Sequence, residues 1–193
     1  IIPALKKGKD VMILSVGALL CDPILFEEVG RISREKRCKV YIPSGAVAGI
    51  DGLKSGVIGG MQTVALTTRK PPIGFEENEY VWERGIDVHS ITTEKTLFRG
   101  SAREAVKHFP ENVNVAASIS LAGIGPEATK VKIVADPAAT ENIHEIEAKG
   151  EFGKLFVRVE NVPSVANPKT SYLAALSAIA TLKRISYPIH VGT

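Results

Sequence analysis

The chain has 193 residues, of which 45% are hydrophobic and 23% are charged, as is ordinary for a globular protein with one large domain or two small ones. Its net charge of +3 at pH 7 is small and scattered along the sequence, so it does not favour nucleic acid or an anionic membrane as a partner.

The N-terminal residues predict a helix end followed by a buried strand. Residues 1–10 resemble the last turn of a helix and lack an initiator Met, so we expect the chain to begin within a longer gene product. The apolar run 11–16, closed by Gly17, does not alternate with polar residues. Such a run, bounded by turn residues, is typical of a strand buried on both faces of a parallel sheet.

The next segment continues an α/β pattern. Residues 22–37 predict a helix, with Asp22 as its N-cap and Pro23 at its first position. Residues 38–56 then predict a strand, a turn of small residues at 44–46 and another helix. This order of strands and helices indicates an α/β fold.

The middle of the chain predicts an α+β subdomain, with an open sheet covered by helices on one face. Segments rich in β-branched residues predict strands, and two of them meet near Gly150 and Gly153 as an antiparallel hairpin. The predicted strands are 61–72, 128–137, 144–152 and 153–161, and the predicted helices are 100–110 and 111–123.

The C-terminal segment predicts a long helix. Asn167 is a favourable N-cap, and Pro168 fits the first helical position. Lys183 and Arg184 suit the negative end of the helix dipole.

The segment 123–128, GIGPEA, formally matches the G-x-G-x-x-A pattern of dinucleotide-binding loops. That loop requires a strand before it and a helix after it. Here the preceding segment predicts a helix and the following one a strand. We therefore interpret the segment as a turn that ends a helix.

The small-residue turn, Ser44-Gly45-Ala46, is a candidate ligand loop. Ligands in open α/β sheets bind at the carboxyl ends of the strands, and the amides at a helix start favour carboxylates or phosphates. Ser15 and Gly17 end the neighbouring strand in the same way. An ordinary tight connection between a strand and a helix explains the turn equally well.

Asn114 and His144 are polar residues in apolar surroundings. Asn114 lies within an apolar helical stretch, as either a core amide or a ligand contact. Alternation places His144 on the same strand face as Ile146 and Ala148, away from the neighbouring glutamates. A single histidine on a partly buried strand is more often structural than catalytic.

The remaining reactive residues predict no further chemistry. His89, His108 and His190 have the polar or terminal surroundings of surface residues. Cys21 and Cys38 form no metal or redox motif, which favours a reduced, cytoplasmic chain. No Ser-His-Asp order or Cys/His cluster occurs, so we expect neither a hydrolytic triad nor a metal site. We expect no signal peptide and no membrane span, because no apolar run reaches about 18 residues.

Six phrases, taken together, resemble the L-aspartate dehydrogenases of NAD biosynthesis. They occur in that family's order and extend over nearly the whole chain. The phrases are GKDVMILSVGAL (8–19), YIPSGAVAGIDGLKSG (41–56), TTRKPP (67–72), NVNVAASISLAG (112–123), ADP with ENIHEIEAKGEFG (135–137 and 141–153) and ENVPSVANPKTSYLAALSAIA (160–180).

The resemblance implies an incomplete Rossmann-type α/β sheet joined to an α+β catalytic and dimerisation domain with an open mixed sheet. It also implies a homodimer that uses NAD or NADP to oxidise L-aspartate to iminoaspartate, which can hydrolyse to oxaloacetate and ammonia. We expect residues 1–42 to be the remainder of the Rossmann-type domain and residues 43–165 the catalytic and dimerisation domain. Residues 166–193 would form a helix that returns to the Rossmann-type domain.

The resemblance also implies roles for individual residues. The family's catalytic histidine falls on His144, as an acid/base, and its two cofactor contacts fall on Asn114 and on Ala46, with Ala48 as the competing position. The further candidates are Ser15 for the cofactor, and Ser44, Thr170 and Ser171 for the carboxylates of the substrate.

The sequence departs from the family at its N-terminus. We expect the family's Gly-rich strand–turn–helix to be missing here. The missing segment would have roughly 60–70 residues, since a βαβ unit takes about 30 or more. That segment would hold the adenosine and pyrophosphate and would set the choice between NAD and NADP. The alternatives are a related reductase acting on an imine or semialdehyde, or a truncated, non-catalytic dimerisation module.

Overall fold

The computed structural model describes residues 1–110, 113–165 and 170–192, so the helix start predicted at Asn167 and Pro168 lies outside the described residues. Short 3-10 turns at Pro72–Phe75 and Val88–Ser90 flank helix α5 (Glu79–Glu83). The other helices are α1 (Ile2–Lys6), α2 (Gly17–Cys21), α3 (Pro23–Lys36), α4 (Ile50–Ile58), α6 (Ala102–His108), α7 (Val113–Ala122) and α8 (Tyr172–Ser186). The strands are β1 (Val11–Met12), β2 (Val40–Tyr41), β3 (Met61–Lys70), β4 (Lys95–Ser101), β5 (Lys130–Ala135), β6 (Asn142–Gly150) and β7 (Gly153–Asn161).

Strands β1 and β2 form a small parallel sheet with two residue pairs. The prediction of a strand over residues 11–16 is wrong beyond Met12, where β1 ends. The backbone turns away because Val16 adopts a helical conformation, with φ −90° and ψ −14°, as the N-cap of α2. Gly17 consequently begins a helix.

Helix α3 starts as the sequence predicts. The Asp22 carboxylate accepts the N–H of Leu25 at 3.0 Å, and Pro23 occupies the first helical position, where its missing N–H costs nothing. The helix ends at Arg37, whose φ of 53° is left-handed. Its inner face buries Val29 and Ile32 in a small core that also contains α1 and α2.

The five-stranded sheet has the order β4-β5-β3-β6-β7. Strands β3 and β5 are parallel and the other pairs are antiparallel, so the mixed sheet and the β6–β7 hairpin, closed between Gly150 and Gly153, are confirmed. Strand β4 was not predicted. Its register shifts between Thr96 and Phe98, and this irregularity breaks the alternation that identifies a strand.

The main core lies between this sheet and the helices α4, α6 and α7, as predicted for a sheet covered on one face. Leu66 on β3, Ile133 on β5 and Ile146 on β6 are all within 1% of full burial. The opposite face carries charges, including Arg69, which contacts Glu145 at 3.1 Å. His144 belongs to the same side of β6 as Ile146, and therefore to the side covered by helices.

Helices α6 and α7 contribute to both cores. Most of their buried side chains face the five-stranded sheet, but Val106 and Ala117 pack in the small core with α1, α2 and α3. Helix α8 has no buried residue, although Ser171 just before it is buried. Within the described ranges, no helix is long and apolar enough to cross a membrane.

Candidate active site

A cleft of about 370 Å³ lies where β1, β2 and β3 end and where α7 and α8 begin. It collects residues that are far apart in the sequence. Six predicted site residues line it: Ser44, Ala46, Asn114, His144, Thr170 and Ser171. Ser15 is exposed on the loop between Leu14 and Val16, which both line the cleft, but neither Ser15 nor Ala48 is itself among the lining residues.

His144 lines the cleft near the start of β6. It is only 4% exposed, and its Nδ1 lies 3.1 Å from Oγ1 of Thr68 on the adjacent strand β3. Burial, together with the positive charge of Lys70, lowers the pKa of His144 from its usual 6.5 to about 4. The imidazole is therefore neutral at pH 7.

The small-residue turn is anchored by two distant elements. The N–H of Gly45 donates to Oγ of Ser177 on α8 at 3.0 Å, and the carbonyl of Ala46 accepts from Nδ2 of Asn161, the last residue of β7, at 3.1 Å. Gly45 has a φ of +69°, which favours glycine. These contacts hold the turn against the cleft.

Asn114 joins helix α7 to the start of α2. Its Oδ1 accepts the N–H of Val16 at 2.7 Å across 98 residues of sequence. Asn114 is exposed and lines the cleft, and its amide nitrogen is a further donor. The structure therefore favours the ligand-contact interpretation over that of a core amide.

Four polar residues of the cleft were not among the predicted site residues: Lys70, Ser118, Asn142 and Ser177. Lys70 could have been predicted from the sequence. It ends the strand of the TTRKPP phrase, and it lies two residues after Thr68 and therefore on the same strand face. Asn142 lies two residues before His144 and shares its face in the same way. Ser118 and Ser177 are small residues within helices, where the sequence pattern does not distinguish them from their neighbours.

Comparison with known proteins identifies the family. A family model described as "Aspartate dehydrogenase, C-terminal" matches residues 51–185. The chain belongs to the aspartate dehydrogenase family. It is 57% identical to the L-aspartate dehydrogenase of Methanosarcina barkeri, over 98% of this chain and 70% of that protein. It is 55% identical to the L-aspartate dehydrogenase of Methanococcoides burtonii, over 100% of this chain and 71% of that protein.

An aspartate dehydrogenase of known structure has the same fold. The crystal structure of the enzyme from Thermotoga maritima matches with a TM-score of 0.79 and 32% sequence identity, over 98% of this chain and 71% of that one. The match supports the combination of a partial Rossmann-type sheet with an α+β domain. The expected family resemblance is therefore confirmed.

The residues of the cleft fit the nicotinamide cofactor that a dehydrogenase of this family requires. Val16 and Val115 supply apolar walls, and the amide nitrogen of Asn114 supplies a donor for a carboxamide. A Cβ built on Gly45 would meet no heavy atom within 4 Å, so there is open space against the backbone of the turn. Among the described residues, no group of three His, Cys, Asp or Glu side chains is placed to hold a metal ion.

Proposed function

We propose that this chain forms the catalytic part of an L-aspartate dehydrogenase, which oxidises L-aspartate at its α-carbon to iminoaspartate with NAD or NADP. Iminoaspartate then hydrolyses to oxaloacetate and ammonia. The observation that carries this assignment is the buried, neutral imidazole of His144 in a cleft that also contains Asn114 and the small-residue turn.

His144 is the acid/base. The α-amine of aspartate is protonated near pH 7 and must lose a proton before its nitrogen can form an imine. A neutral imidazole can accept that proton and, after releasing it to solvent, can accept another from the water that attacks the imine. The bound nicotinamide accepts the hydride from the α-carbon, and the side chains of the cleft orient the substrate for that transfer.

The two carboxylates of aspartate bind to the polar rim of the cleft. Ser44, Thr170 and Ser171 all line it and provide hydroxyl groups. Lys70 lines the cleft too, and its positive charge acts on His144. The electrostatic potential near the imidazole is therefore positive, which favours the two negatively charged carboxylates of the substrate. The cleft thus has the groups needed for a dicarboxylic amino acid.

We assign the nicotinamide half of the cofactor to Ala46 and Asn114, with Ser15 on the adjoining loop as a further contact. Residues 1–42 would be the remainder of the Rossmann-type domain, 43–165 the catalytic and dimerisation domain, and 166–193 the helix returning to the Rossmann-type domain.

We also propose that the enzyme is a homodimer. The family resemblance suggests it, and the outer face of the five-stranded sheet carries Phe156 with 56% of its surface exposed. Sedimentation of the intact protein at several concentrations tests this assignment. A single species with the mass of one chain would contradict it.

The test of the catalytic assignment is His144→Ala in the intact protein. Because the proton acceptor is removed, we expect turnover of L-aspartate to fall by about 100-fold or more. His89→Ala is the matched control, since His89 is exposed and its Nε2 lies 3.1 Å from Oε1 of Glu76, outside the cleft. Nearly normal turnover in His144→Ala, with a lower melting temperature, would instead assign His144 a structural role.

The substrate assignment has its own test. Formation of NADH or NADPH should depend on L-aspartate and should not occur with other amino acids at equal concentration. Activity with an imine or semialdehyde substrate, and none with L-aspartate, would favour the related reductase.

A further inference from the structure

The position of His144 between two strands determines what can hold its ring. Across the sheet, His144 lies opposite Thr68 of β3 on one side and opposite Val159 of β7 on the other. Thr68 is completely buried, and its Oγ1 lies 3.1 Å from Nδ1 of His144. Since Val159 has no polar side-chain atom, Thr68 is the cross-strand neighbour that can orient the imidazole.

The neighbouring carboxylates do not take this place. Glu145 projects to the opposite face of the sheet, where Arg69 and Arg158 contact it at 3.1 Å and 2.5 Å. Glu147 also lies on that face and contacts Lys149 at 2.6 Å. The contact that the structure shows for Nδ1 is thus with a neutral hydroxyl.

We propose that Thr68 is a positioning residue for the acid/base, accepting the Nδ1–H of His144 and so leaving Nε2 unprotonated toward the cleft. This inference rests on the proposed function of His144. In the opposite tautomer the Thr68 hydroxyl would donate to Nδ1, and Nε2 would carry a hydrogen and could not accept the proton of the substrate amine. The tautomer therefore decides whether the residue can act as a base.

A hydroxyl partner also suits the electrostatics of this site. A carboxylate on Nδ1 would stabilise the imidazolium and hold the transferred proton, whereas a hydroxyl orients the ring without adding a charge. Among the described residues, the charge that acts on His144 is that of Lys70 from β3, and it opposes protonation. The lining residues contributed by α7 are Asn114, Val115 and Ser118, none of which titrates.

The tautomer can be measured without any activity assay. With the imidazoles of the intact protein labelled with ¹⁵N, we expect the spectrum of His144 at pH 7 to show a protonated Nδ1 and an unprotonated Nε2. His144→Gln identifies the signal. A protonated Nε2 with a bare Nδ1 would overturn the proposal.

Substitution at Thr68 supplies the second readout. Thr68→Val keeps the shape and removes the acceptor, so we expect kcat to fall by about 10-fold to 100-fold, as for other groups that orient a reactive histidine, with little change in KM for L-aspartate. Thr68→Ser retains the hydroxyl and should restore most of the activity. Equal kcat values for the valine variant and the wild type would overturn the proposal.

The two proposals fail in different ways. If His144→Ala is fully active, the proposed acid/base role is wrong. If His144→Ala is inactive while Thr68→Val is fully active and folded, only the positioning role is wrong. The thermal melting curve of each variant separates loss of folding from loss of chemistry, and the ¹⁵N measurement on the wild type does not depend on any variant.

Discussion

Burial gives His144 the neutral state that its proposed role needs, and it has a consequence for stability. A histidine in water is partly charged near pH 6.5, whereas burial and the nearby Lys70 lower the pKa of His144 to about 4. The residue therefore enters the folded state neutral. The folded protein keeps the imidazole uncharged over the whole physiological range.

Folding stability should depend on pH partly through this residue. As the pH falls through about 6.5 the unfolded chain takes up a proton that the folded chain does not bind, so the folded state loses stability until about pH 4, where folded His144 is protonated too. The total loss is about 3 kcal/mol.

His144→Gln removes this contribution and leaves the other titratable groups in place. We expect the free energy of unfolding, measured by denaturant at pH 7, 5.5 and 4, to fall more steeply in the wild type than in the variant. Parallel curves would show that the folded histidine has an ordinary pKa.

The sequence predicted the face of the strand on which His144 lies, but it did not predict how completely the residue is buried. Alternation with Ile146 and Ala148 is a local property, and both residues are completely buried as it predicts. The contact with Thr68 is not local, because the two residues are 76 positions apart and meet only through the register of β3 and β6. Register is set by the whole sheet, so the partner of Nδ1 could not be read from the sequence.

Among the structural elements, the small-residue turn also combines a feature that local sequence predicts with contacts that it does not predict. Its position between β2 and α4 was predicted from its composition, because small residues between a strand and a helix are a local signal. Its anchors were not predicted, since Asn161 and Ser177 belong to β7 and α8. The turn therefore becomes a wall of the cleft because β7 and α8, which come later in the sequence, bind to it.

Removing one anchor should weaken cofactor binding more than folding. In Ser177→Ala the N–H of Gly45 loses its acceptor, a loss of about 1 kcal/mol of hydrogen bonding, and the turn gains freedom. We expect KM for the nicotinamide cofactor to rise several-fold.

Ser186→Ala is the matched control for this experiment. Ser186 lies on the same helix, and its hydroxyl donates to the carbonyls of Leu182 and Lys183 within α8. Both variants lose a serine hydroxyl from one helix, so an equal rise in the cofactor KM in both would show that the contact with the turn is unimportant.

For the molecule as a whole, helix α7 matters because it belongs to two cores. Ile119 packs toward the five-stranded sheet, whereas Ala117 packs with α2 and the small parallel sheet, and both are completely buried. The division into an α/β part and an α+β part was predicted from the change of pattern along the chain. The helix that joins the parts has apolar residues on all sides in the sequence, so its double role could not be predicted.

Enlarging Ala117 should disturb the junction of the two cores. Ala117→Leu inserts three carbons into a filled space, and we expect a loss of about 1–3 kcal/mol in the free energy of unfolding. Because Asn114 is one helical turn away, its contact with Val16 should lengthen, and KM for the cofactor should rise. Ala180→Leu on the exposed side of α8 is the control, and an equal response of both variants would contradict this account.

The three hydrogen bonds that shape the cleft join residues 98, 115 and 132 positions apart in sequence. Contacts between such distant residues require closing long loops, so they form after the local helices and the β6–β7 hairpin. We therefore expect secondary structure to form first and the cleft to form last. When refolding is followed by far-ultraviolet circular dichroism and by cofactor binding, the binding signal should appear later than the circular dichroism signal. A newly made chain would then have its secondary structure before it can bind the cofactor.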